Sequence, residues 1–181
     1  GDVLVKNVIP KHLESISAKL EEAGAEIIEY DDAVRVTRFK PLNKCNVKTM
    51  PHPGFPTDMQ PQMAVLLSIA KGTSILSESV WDNRFQYVGQ LLRMGANIQV
   101  DGKVAVIEGV NQLTGVKVNA TDLRAGAAMI IAGMVAEGTT TVENIQYVDR
   151  GYEDVVIKFS NLGADIKRVN VEEPTAVQTA G

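Results

Sequence analysis

The sequence predicts a layered α/β fold in which helices pack against strand pairs. Three observations carry this: a unit that recurs along the chain with nearly constant spacing, long apolar segments that close on glycine, and short β-branched runs after those glycines. The back half of a unit comes first, in Leu20-Glu21-Glu22-Ala23-Gly24-Ala25-Glu26-Ile27. A stiff loop follows, Val47-Lys48-Thr49-Met50-Pro51-His52-Pro53-Gly54-Phe55-Pro56, whose prolines leave few backbone conformations. It feeds Thr57-Asp58-Met59-Gln60, which matches Thr121-Asp122-Leu123-Arg124 in the next unit. Thr57 and Thr121 are expected as helix N-caps, with Asp58 and Asp122 in the first turn, where the helix dipole favours anions. Apolar residues then run through Met63, Leu66, Leu67 and Ala70, and through Ala127, Ile130, Ile131 and Met134, predicting mostly buried helices. Gly72 and Gly138 end these helices in the left-handed region. Strands are expected over 73–80 and 139–148, and second, amphipathic helices over 85–94 and 152–162, closed by Gly95 and Gly163. Strands at 97–100 and 103–107 flank Asp101-Gly102, the strongest hairpin signal in the chain.

With 181 residues, 45% apolar and 22% charged, and a net charge of −4, the chain has the composition of a globular protein and not of a disordered one. This length suits one domain that buries about 70% of its unfolded surface without disulfides or metals. Cys45 stands alone, which excludes an internal disulfide and a multi-cysteine zinc site, and His12 and His52 offer no metal-ligand cluster. No metal or cofactor is expected, and a reducing, cytoplasmic setting fits. The longest apolar runs fall short of the roughly 20 residues that span a bilayer, and the first residues lack the pattern of a signal peptide. A pI near 5.2 argues against a nucleic-acid partner. Residues 172–181 are polar, without pattern, and expected to be disordered, leaving 1–171 as the folded part.

The repeat also carries charge. Arg84, in Asp82-Asn83-Arg84-Phe85, and Arg150, in Asp149-Arg150-Gly151-Tyr152, stand at matching places, each equally far past the glycine that closes its helix, Gly72 or Gly138. Arg124 follows Asp122 closely. If the units pack side by side, Asp58, Asp122, Arg84, Arg124 and Arg150 converge. Two readings stay open. Planar guanidinium forks and carboxylates suit a site that holds an anionic substrate and moves a proton; the same residues also serve as helix caps and ion pairs between repeats.

The phrases Pro51-His52-Pro53-Gly54-Phe55-Pro56-Thr57-Asp58-Met59-Gln60, Asp82-Asn83-Arg84-Phe85, Ala120-Thr121-Asp122-Leu123-Arg124-Ala125 and Asp149-Arg150-Gly151-Tyr152-Glu153 strongly resemble the UDP-N-acetylglucosamine 1-carboxyvinyltransferase (enolpyruvyl transferase) family of bacterial peptidoglycan synthesis. The resemblance runs in the family's order from Gly1 to about Val171 and concerns only its C-terminal part. It implies a domain of βαβαββ units with buried helices and outer sheets, completed in the family by the chain's extreme N-terminus. The first half-unit therefore lacks its partner, and exposed apolar surface or a ragged strand edge is expected where that piece is absent. It implies transfer of the enolpyruvyl group from phosphoenolpyruvate to the 3-hydroxyl of UDP-N-acetylglucosamine, with release of phosphate. On this likeness Asp58 contacts that hydroxyl as general base, Val80 contacts the nucleotide sugar through its backbone, and Asp122 is a second catalytic carboxylate. Arg84, Arg124 and Arg150 match arginines that clamp the carboxylate and phosphate of phosphoenolpyruvate. The family's general-acid cysteine lies in the missing N-terminal part, so these residues alone are expected to be inactive. The implied partners are these small molecules and the missing domain.

Asp82 departs from the family, which usually has Glu there. Cys45 reads as inert, His12 as a surface residue, His52 as loop packing or a donor behind the site, and Met59, Met63 and Met134 as core filler. A shikimate-pathway enolpyruvyl transferase is the alternative within the superfamily. A non-catalytic repeat domain that binds a partner, its Asp and Arg residues being caps, is the alternative outside it.

Overall fold

Alternation of buried and exposed side chains every second residue marks the strands Thr73–Ser77 and Val104–Glu108, and glycines in the left-handed region punctuate the chain between elements. The computed structural model describes residues 1–170; Val171 and the tail expected to be disordered lie outside the described residues. In chain order the elements are β1 (Asp2–Lys6), α1 (Glu14–Glu22), β2 (Glu26–Glu29), β3 (Ala33–Thr37), β4 (Val47–Lys48), α2 (Gln60–Ser68), β5 (Thr73–Ser77), α3 (Val88–Arg93), β6 (Asn97–Asp101), β7 (Val104–Glu108), β8 (Lys117–Asn119), α4 (Leu123–Val135), β9 (Thr141–Glu143), α5 (Gln146–Asp149) and α6 (Val155–Asn161). Single 3₁₀ turns, Pro10–Leu13, Thr57–Met59 and Arg84–Tyr87, lead into α1, α2 and α3.

The middle of the chain is one complete βαβαββ unit. β4 pairs parallel with β5, β5 antiparallel with β7, and β7 antiparallel with β6, giving the order β4-β5-β7-β6. β5 and β7 point Leu76, Ala105 and Ile107 inward with no exposure, and each fully buried Leu or Ile stabilises the fold by about 1.5–3 kcal/mol. The hairpin forms as its sequence predicts, with one shift. Asp101 pairs with Val104, so the loop is Gly102-Lys103, and Gly102 takes the positive φ of 55° that a two-residue loop with glycine first requires.

Partial units flank it. Before it, β1 leads into α1, and β2 and β3 follow, the three strands forming an antiparallel sheet of order β1-β3-β2; after it, β8 and β9 pair parallel as a two-stranded sheet among the described residues. Helices α2 and α4 pack on each other between the sheets. α2 buries Gln60, Pro61, Met63, Ala64, Val65, Leu67 and Ser68, nearly its whole circumference. α4 buries Ala125, Gly126, Ala128, Met129 and Ala132.

Several sequence expectations are displaced. Residues 139–148 are not one strand: β9 stops at Glu143, Asn144 turns the chain with φ 59°, and α5 follows. The second helix of the last unit starts at Val155, after Asp154 in the left-handed region. The buried stripe of α4 is its small-residue face, and Met134, expected in the core, is exposed; Met63 is buried as expected. His12 and His52 are both exposed. Cys45 is buried, and desolvation together with Glu22 raises its thiol pKa, as an inert cysteine requires.

Candidate functional site

The site is assembled where the proline loop, the end of β5 and the start of α4 meet. Met50 N–H donates to Phe55 C=O at 2.9 Å and Gly54 N–H to Pro51 C=O at 2.8 Å, so the loop folds back on itself while Phe55 anchors it in the core. It delivers Thr57 and Asp58 into the 3₁₀ turn. Thr57 does not cap a helix, contrary to the sequence expectation. Its hydroxyl donates to Glu78 Oε2 at 3.0 Å and accepts from Arg84 Nε at 3.1 Å.

Asp58 is bridged by two arginines from pseudo-equivalent units. Arg84 reaches Oδ1 at 3.0 Å and Arg124 reaches Oδ2 at 2.8 Å, while Arg124 also donates to the Tyr152 hydroxyl at 2.9 Å. The Arg84 side chain is 9% exposed and that of Asp58 is 49% exposed, so the acid faces solvent while the base that holds it is sunk. The two guanidinium groups present planar forks of the kind that suits an anion. Trp81 packs beside this pair, with the Arg84 guanidinium 5.3 Å from its ring centroid.

Asp122, expected in a first turn behind a Thr121 cap, is itself the cap. Its Oδ1 accepts from Arg124 N–H at 2.8 Å and from Ala125 N–H at 2.9 Å. Thr121 Oγ1 is buried and has no hydrogen-bond partner among the described residues. The capping reading therefore applies to Asp122 and fails for Asp58, which pairs across units. Val80 lies in the loop after β5 with its N–H donated to Glu78. Asp82 forms an exposed pair with Lys103 at 2.6 Å. Arg150 does not join Asp58; its guanidinium lies 5.9 Å from the Tyr147 ring centroid.

Sequence reading passed over Glu78. Its residue is 3% exposed, and its carboxylate accepts four hydrogen bonds: from Thr49 at 2.7 Å, Val80 N–H at 2.8 Å, Trp81 N–H at 2.9 Å and Thr57 at 3.0 Å. Burial pushes this carboxyl up, but the donors from Thr49, Trp81, Val80 and Thr57 together outweigh it and hold it below the usual carboxylate range. Glu78 follows a β-branched run and nothing in its spacing repeats, so only the folded chain brings its partners together.

Among the described residues no three His, Cys, Asp or Glu side chains gather where a metal ion could be held, and no helix is long and apolar enough to cross a membrane.

Residues 1–159 match the family model described as EPSP synthase (3-phosphoshikimate 1-carboxyvinyltransferase). Among curated proteins the chain is 53% identical over 98% of its length to a UDP-N-acetylglucosamine 1-carboxyvinyltransferase of Desulfofundulus thermocisternus, covering 73% of that protein. It is 56% identical over 93% of its length to UDP-N-acetylglucosamine 1-carboxyvinyltransferase 3 of Caldanaerobacter subterraneus, covering 40% of it. The chain thus spans about two fifths of the length of the second relative. Among solved structures, the enolpyruvyl transferase NikO from Streptomyces tendae superposes with a TM-score of 0.83 at 29% identity, over 92% of this chain and 40% of that one. An EPSP synthase from Acinetobacter baumannii gives 0.56 at 19% identity over 78% of this chain and 35% of that one, a likeness of fold alone.

Proposed function

The chain belongs to the enolpyruvyl transferase family described by the EPSP synthase model, and within it to the UDP-N-acetylglucosamine 1-carboxyvinyltransferases; from that premise we propose that it forms the C-terminal part of an enzyme that moves the enolpyruvyl group of phosphoenolpyruvate onto the 3-hydroxyl of UDP-N-acetylglucosamine. The observation that carries the reading is Asp58 bridged by Arg84 and Arg124 from two repeats. Asp58, half-exposed at the end of a rigid loop, takes the hydroxyl proton as the sugar oxygen adds to C2 of phosphoenolpyruvate and the double bond opens, C3 taking a proton from the general acid in the N-terminal part of the longer chain. Val80 contacts the nucleotide sugar through its backbone.

Phosphoenolpyruvate brings a carboxylate and a phosphate, and the tetrahedral intermediate must lose that phosphate. Arg84 keeps its Nη1 edge, and Arg124 its Nε–H, without a protein partner among the described residues, so each has donors left for a second anion. Arg150 supplies the third guanidinium once substrate draws it from Tyr147. Fixed donors aimed at developing negative charge are the largest ordinary source of rate enhancement. Asp122 is the second carboxylate near the reacting centre, with Oδ1 committed to its cap. The substrates are small molecules, and the enzyme's place is peptidoglycan synthesis in the cytoplasm. Residues 1–171 form most of one domain, whose last unit is completed by a further segment of the longer chain.

The shikimate alternative is less well supported: the relatives at 53–56% identity carry the nucleotide-sugar name, whereas the EPSP synthase structure shares only 19% identity. The test is phosphate release by the full-length enzyme with phosphoenolpyruvate and either acceptor. Turnover with UDP-N-acetylglucosamine and not with shikimate 3-phosphate is expected, and the reverse overturns the reading. Asp58→Asn is expected to lower kcat by about 10²-fold or more while the protein stays folded.

A further inference from the structure

We propose that Glu78 and Thr57 form a strut that positions Arg84: the buried carboxylate orients the Thr57 hydroxyl, and that hydroxyl holds the Arg84 guanidinium against Asp58. This deepens the reading of Arg84 as a substrate-binding arginine and rests on it.

The direction of the bonds is forced. An ionised carboxylate can only accept, so the single Thr57 proton goes to Glu78 and the hydroxyl's lone pairs face outward. Arg84 Nε–H, which can only donate, meets one of them at 3.1 Å. The chain of bonds then leaves the interior and ends at Asp58, through Arg84 Nη2 at 3.0 Å. The same carboxylate suspends the loop from Val80 to Arg84 by two backbone N–H groups and is tied through Thr49 to the residue that follows β4. Asn83, at φ 61°, turns that loop into the 3₁₀ turn Arg84–Tyr87. One side chain thus sets the relative position of the two segments that carry Asp58 and, on one loop, Val80 and Arg84.

The repeat supplies an internal control. In the next unit the counterpart of Glu78 is Asn144, and the counterpart of Thr57 is Thr121. Asn144 turns away to Asn119 at 3.4 Å, and Thr121 Oγ1 is buried without a partner among the described residues. The counterpart of Arg84 is Arg150, which has no such tie and lies over Tyr147. Where the carboxylate is present the arginine is locked to a threonine and an aspartate; where an asparagine replaces it, neither bond forms.

The test uses Thr57→Val and Thr57→Ser in the full-length enzyme. Valine keeps the shape and removes the hydroxyl; serine keeps the hydroxyl. T57V is expected to raise KM for phosphoenolpyruvate about tenfold or more, to change KM for the nucleotide sugar less than about threefold, and T57S is expected to restore both. A merely structural role would lower the folded fraction, and with it apparent kcat, leaving both KM values alone. Unchanged KM values in T57V, or equal damage in T57V and T57S, would overturn the proposal. Exchange of the Arg84 Nε–H, followed by NMR, reads the strut without any turnover. It is expected to be slow in the wild type and about tenfold faster or more in T57V and in Glu78→Gln; equal rates in wild type and T57V overturn the strut. An enzyme inert toward both substrates but with this exchange pattern would refute the assigned reaction and leave the strut standing.

Discussion

Asp58 and Asp122 occupy equivalent places in two repeats, yet their carboxylates do different work. Asp122 satisfies two N–H groups at the start of α4, so Asp122→Ala is expected to cost about 1 kcal/mol of stability. Asparagine caps about as well. Asp122→Asn should therefore leave the thermal midpoint near that of wild type, and any fall in turnover then reports on chemistry; full turnover in a stably folded D122N would confine Asp122 to its cap. Glu78 gives a prediction in pH. Its carboxyl lies below the ordinary 4.5 when folded, so its stabilisation is complete above the unfolded value and is lost as pH falls through the folded one. Glu78→Gln is expected to lose about 1–3 kcal/mol at neutral pH, with the gap from wild type narrowing at pH 3 in urea titrations. A gap that does not change with pH would show that the charge contributes nothing.

Elements show where the sequence was legible and where it was not. Gly95 and Gly163 take positive φ directly after the C-caps of α3 and α6, as local chain chemistry alone requires; Gly72 and Gly138 take it too, but the helices expected to close on them already end at Ser68 and Val135. The caps at Thr57 and Thr121 did not form, because the first hydroxyl is claimed by Glu78, a residue distant in sequence, and the second is displaced by Asp122 one step on. The face of α4 was misread as well: periodicity marks apolar positions, but Ala125, Gly126, Ala128, Met129 and Ala132 went inside and Met134 stayed out. Gly126 is the sharpest case. A Cβ there would lie 2.5 Å from Val148 Cγ2 and 2.9 Å from Ala120 Cβ, and both neighbours are buried. Alanine gains about 1 kcal/mol in helix propensity, but overpacking at a site that cannot yield costs about 1–3 kcal/mol. Gly126→Ala is thus expected to destabilise. Gly89 in α3 has open space around its Cβ position, so Gly89→Ala should stabilise by about 0.5–1 kcal/mol; denaturant midpoints that move in the same direction for both would refute this packing account.

Across the whole molecule, stability is graded along the repeats. The complete unit holds the interior of the four-stranded sheet and nearly all of α2. Among the described residues the last unit pairs two strands, and α6 has no buried residue; Ile157 within it is 58% exposed and Leu162 at its C-cap 61%. Periodicity within α6 cannot say what lies opposite it. Segments with few buried contacts open locally at a fraction of the global free energy. In the 181-residue chain, amides of α6 are therefore expected to exchange about 100-fold faster or more than those of α2. In the full-length enzyme, where a further segment is proposed to cover Ile157 and Leu162, α6 protection should rise toward that of α2. Hydrogen exchange followed by mass spectrometry separates the two cases. If α6 is already as slow as α2 in the isolated chain, its exposed apolar residues do not limit its stability; if it stays fast in the longer protein, the last unit is completed elsewhere than over α6.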